Sequence, residues 1–88
     1  MTQAIYHPTA ATAGLAAAEL ILAIQKEFPQ VRLVPCEPVE GEDIHLWAYF
    51  PVQAEGRLIV QGRIVEIEHA VQEKYGVQTV VVAMPERI

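Results

Sequence analysis

At 88 residues the chain has room for one domain, spanning 1–88, and not for two. Its 52% hydrophobic content against 19% charged excludes a disordered chain. A net charge of −5 and a pI near 5.0, with six Lys and Arg that form no cluster, exclude a phosphate-binding surface. Neither nucleic acid nor an acidic membrane surface is therefore expected as a partner. The single cysteine, Cys36, excludes an internal disulfide and a multi-cysteine zinc site. No secretory pattern is read, because the apolar run Ala13–Ala18 lacks a basic flank and Leu20–Ile24 sits behind Glu19. That run is also far short of the ~20 residues of a membrane span, so a cytoplasmic location is expected.

In chain order, Thr2–Tyr6 reads as a short first strand ended by His7-Pro8, since a residue before proline is pushed toward extended geometry. Thr9 or Thr12 is placed to cap an alanine-rich helix that runs to about Phe28. Ala17, Ile21, Ile24 and Phe28 form one apolar stripe; Leu15, Ala18 and Leu22 form a second on a neighbouring face. A helix apolar on two faces calls for two coverings. The second stripe is read either as a broad core face or as a subunit contact, which makes Leu15 and Leu22 candidate dimer residues.

Pro29 ends the helix, and Val31–Cys36 reads as a strand interrupted by Pro35, which places it at a sheet edge or gives it a bend. A loop over Glu37–Asp43 leads to Ile44–Phe50, a strand with Ile44, Leu46, Ala48 and Phe50 on one face and His45, Trp47 and Tyr49 on the other. From Glu55 the chain reads as a long helix whose Val60, Ile64, Ile67, Val71 and Tyr75 repeat at helical spacing, with Gly76 as its stop. The alternative is a hairpin strand over Arg57–Gln61 with a later helix start. Val77–Met84, rich in β-branched residues, is expected as the last strand, closed by Pro85.

The order is (β)αββαβ, an α+β two-layer sandwich with two helices on one face of a small, mainly antiparallel sheet. With Thr2–Tyr6 paired the topology is the ferredoxin-like split βαβ; without it a three-stranded αββαβ sheet remains. The second version, ending in Val80-Val81-Val82-Ala83-Met84-Pro85-Glu86, resembles the cytoplasmic domain of cation diffusion facilitators over about residues 13–86. That resemblance implies the same element order. The family's histidine in the final strand has no counterpart in Val77–Met84, so its metal chemistry does not carry over.

The row His45, Trp47 and Tyr49 is the main functional cue. Helices cover one side of a two-layer sheet, and the other meets water or a partner. Such rows stack bases in RNA-binding domains, a use the acidic charge opposes. The remaining readings are a homodimer through the sheet face, a shallow pocket for a flat ligand, or plain packing beside the core. Val80, Val82 and Met84 leave the last strand apolar on its second face too, in line with the dimer. A core this small also gains from a partner subunit.

Glu37, Glu40, Glu42 and Asp43 place four carboxylates just before His45, and Glu40, Glu42, Asp43 and His45 form a candidate metal set. The spacing matches no EF-hand, and solvated turn charges explain it equally well. Cys36 reads as an idle thiol, and His69–Glu73 as a solvent-side pair at i, i+4. No glycine pattern makes a phosphate loop. The expectation is a non-catalytic, self-associating domain without cofactor, its acidic loop open to a basic protein. The alternatives are an enzyme using His45 with Glu42 or Asp43 in a dimer cleft, and a metal-binding module.

Overall fold

A computed structural model describes residues 9–51 and 56–86. Five elements follow in order: helix α1 (Ala10–Glu27), strands β1 (Arg32–Cys36) and β2 (Ile44–Pro51), helix α2 (Arg57–Tyr75) and strand β3 (Thr79–Glu86). The expected strand over Thr2–Tyr6 lies outside the described residues.

Thr9 caps α1, its hydroxyl accepting the Thr12 N–H at 3.1 Å. The line turned to the core is Ala16–Leu20–Ile24, every member fully buried. Ala17, Ile21 and Phe28 flank it half-buried, so the stripe read from the sequence is displaced by about one position. Leu15 and Leu22 are 63% and 66% exposed and take no part in the core. α2 buries Ile64, Ile67 and Val71, with Val60 and Tyr75 half-buried at its two ends, as the periodicity predicts. Arg57–Gln61 is helical, which removes the hairpin alternative. Gly76 ends the helix in the left-handed region at φ 68°, where its N–H donates to the Gln72 carbonyl.

β2 is the central strand, antiparallel to β1 and parallel to β3. The sheet is therefore mixed, a correction to the mainly antiparallel sheet expected. β2 and β3 are joined through a whole helix, and such a crossover returns the chain in its original direction. They are also directly hydrogen-bonded to each other, which leaves no slot between them for the strand of a split βαβ. β3 starts two residues later than expected: Val77 is buried as part of the connection, and the Gln78 carbonyl accepts the N–H groups of Asp43 and Ile44. It also runs through Pro85, which an outer strand tolerates, and β3 is the outer strand of the sheet among the described residues.

Ile44, Leu46, Ala48 and Phe50 are all buried, and with α1 and α2 they form one core. Both helices thus cover the same face of the sheet. Each full burial of a Leu, Ile or Phe is worth about 1.5–3 kcal/mol. The helices are also tied by charge. Arg63 on α2 holds both carboxylate oxygens of Glu27 at 2.8 Å. Lys74 Nζ and the Tyr75 hydroxyl meet Glu19 Oε1 at 2.8 and 2.9 Å. Among the described residues no helix is long and apolar enough to cross a membrane.

Candidate functional site

The strand period of two sends alternate side chains of β2 to opposite faces, and the register carries that division across the sheet. Arg32, Tyr49 and Met84 form one row of the outer face; Val34, Trp47 and Val82 form the next; Cys36, His45 and Val80 form the third. None of these nine belongs to the core cluster; Arg32 and Trp47 are exposed and the other seven half-buried. Trp47, at the centre, is 38% exposed.

Two contacts order the aromatic part of this face. Trp47 and Tyr49 meet edge to face, with ring centroids 6.3 Å apart at 70°. The Arg32 guanidinium lies 4.4 Å from the centroid of the Tyr49 ring, so its charge rests against the ring's negative face. The sequence reading found the β2 row and the apolar side of β3. It missed Arg32, Val34 and Cys36, although alternation from Pro35 at the edge would have placed them opposite Tyr49, Trp47 and His45.

At one corner His45 Nδ1 stands 2.9 Å from Glu42 Oε1. The same oxygen accepts the Val39 N–H at 2.9 Å, and that bond, followed by the one to His45, holds the Glu42 carboxyl below its usual range. An ionised carboxylate only accepts, so Nδ1 carries the proton of this pair. His45 Nε2 is buried and has no hydrogen-bond partner. Asp43 turns away, its Oδ2 accepting the Gln78 N–H at 2.8 Å, and Glu40 is exposed. Among the described residues no three His, Cys, Asp or Glu side chains are gathered to hold a metal ion. A cleft of about 270 Å³ lies beside this corner, between Ala17 and Ile21 of α1 and Cys36, Asp43 and His45.

Comparison with known families, with curated proteins and with solved structures finds no match to this chain.

Proposed function

We propose that this chain is a small αββαβ domain, the three-stranded version of the expected fold, that acts by binding and associates with a second copy through the outer face of its sheet. One observation carries the reading. Among the described residues the helices cover one face of the parallel pair β2–β3, and Val80, Val82 and Met84 continue the apolar character of β3 onto the other. Parallel strands are ordinarily buried on both faces, whereas a strand meeting water alternates with polar residues. A copy of the same face supplies the missing cover, and Trp47 at its centre supplies the anchor.

The geometry also bounds the affinity. Nine side chains at ~4.8 Å between strands and ~6.8 Å between alternate residues cover a few hundred Å², below the ~800 Å² per partner of a standard interface. The expected dimer is weak and concentration-dependent. The acidic loop remains open to a basic protein partner, and a cytoplasmic location fits this reading.

The rival from another class is acid–base catalysis by His45 and Glu42, favoured by their 2.9 Å contact. A general base needs a nitrogen that substrate can reach. Nδ1 is engaged by Glu42 and Nε2 is buried, which weighs against it. The metal-binding reading lacks a third ligand among the described residues.

Native mass spectrometry and sedimentation of the wild type and Trp47→Glu test the proposal. A concentration-dependent wild-type dimer and a folded, monomeric variant are expected. A variant that remains folded and dimeric, or a wild type that stays monomeric at high concentration, discards it.

A further inference from the structure

On the opposite side of the sheet from the outer face, α2 does not close fully over β2 and β3. A cleft of about 220 Å³ opens there, with Phe50, Ile64, Val65, Val81 and Ala83 on its walls and Gln61 also lining it. Among the described residues Glu68 is the one ionisable side chain in its lining, and only 8% of that residue is exposed. It stands one helical turn beyond Ile64, where an apolar side chain would complete the core.

The carboxylate is held in place from one side. The Thr79 hydroxyl donates to Glu68 Oε1 at 2.6 Å, and the Gln72 amide donates to that hydroxyl oxygen at 2.9 Å. Gln72 thereby commits the Thr79 proton to Glu68 and orients the group. Among the described residues Oε2 accepts no hydrogen bond. That oxygen is not sealed in the core, and Glu68 lines the cleft, so a charged donor entering there can pair with it.

We propose that this cleft is a binding site for a small apolar molecule ending in a primary ammonium group, whose charge pairs with Glu68. The walls suit an apolar body. For scale, an engineered apolar cavity of about 150 Å³ holds benzene, so a ring with a one-carbon arm fits the volume. An anionic ligand would meet like charge, and a neutral one would leave the carboxylate without its counter-charge. The site shares no side chain with the outer face, and the proposal stands whether or not the chain dimerises.

Amide-resolved NMR titration of the full chain tests it, with benzylamine, benzyl alcohol and benzoate as probes. For a ligand of this size, affinity of about millimolar is expected. Shifts should centre on Ala48, Val65, Glu68 and Ala83, with benzylamine bound about tenfold more tightly than benzyl alcohol and benzoate not at all. Glu68→Gln keeps a partner for Thr79 and should erase the preference for the amine; Ala83→Phe should fill the cleft and abolish binding of both. Equal affinity for amine and alcohol, no saturable shifts, or shifts confined to Trp47 and Tyr49 would each overturn it. So would an amine preference that survives in folded Glu68→Gln.

Discussion

Glu68 is the residue at which packing and chemistry disagree most. Burial pushes its carboxyl above the ordinary value of 4.5, with the Thr79 hydroxyl opposing that shift. The neutral form is therefore favoured by folding. Its stabilising effect is complete below the unfolded pKa and is lost as pH rises through the raised folded pKa. Glu68→Gln, which stays neutral, is expected to melt higher than the wild type at neutral pH, with the difference closing in acid. Thermal melts of both proteins across that range check this, and a variant less stable at neutral pH would show that the Thr79 bond outweighs the desolvation. The placement of Glu68 could have been read from the sequence, since position 68 lies beside the stripe of Ile64, Ile67 and Val71. The reading of α2 followed the apolar residues and passed over the charged one.

The elements differ in how much of them the sequence discloses. α2 alternates clearly between apolar and polar faces, so its stripe and its Gly76 stop are legible. β2 alternates with period two, so both of its faces are legible as well. α1 is mostly alanine with leucine and isoleucine spread around it, which leaves the phase of its buried line undetermined by pattern alone. Contact with α2 and the sheet chooses Ala16–Leu20–Ile24. Leu20→Ala is accordingly expected to cost about 2–5 kcal/mol, the range for a fully buried leucine. Leu22→Ser, two residues on and largely exposed, should change stability by no more than ~0.5 kcal/mol. Denaturant unfolding of the two variants decides the matter: similar losses would mean that Leu22 is covered in solution. The mixed sheet was legible only in part: the helix between β2 and β3 implies that the two run the same way, but not that they pair directly instead of flanking another strand. The part of the outer face that β1 supplies was legible too, since alternation through Pro35 places Arg32, Val34 and Cys36 on one side, but it goes unread when the proline is taken only as an edge signal.

For the molecule as a whole, the two helices are linked at both ends of their contact by exposed charge. Arg63 beside Glu27 holds that carboxyl below 4.5, and hydrogen bonds from Lys74 and Tyr75 do the same for Glu19. A lowered carboxylate contributes stability that is present above the unfolded pKa and disappears as pH falls through the folded one. Acid should therefore loosen the helix pair while it relieves Glu68. Arg63→Ala is expected to lower the melting temperature at neutral pH and to converge with the wild type in acid, where Glu27 is protonated. Surface pairs are weak and screened, so the same difference should shrink in high salt. An unchanged gap at low pH would place the role of Arg63 in packing instead.

The pairing of β2 with β3 also orders events in time. β1 and β2 are neighbours in sequence and meet through a short loop, so their ladder closes over little chain. The parallel ladder is different, because Ile44 meets Thr79 across all of α2. Until that helix has formed and docked, β2 has one unfilled edge and Val80–Met84 has no place in the sheet. The last and most apolar strand is therefore the last to be secured. The interval before it docks, rather than the finished fold, is when this chain is most exposed to pairing with the wrong neighbour.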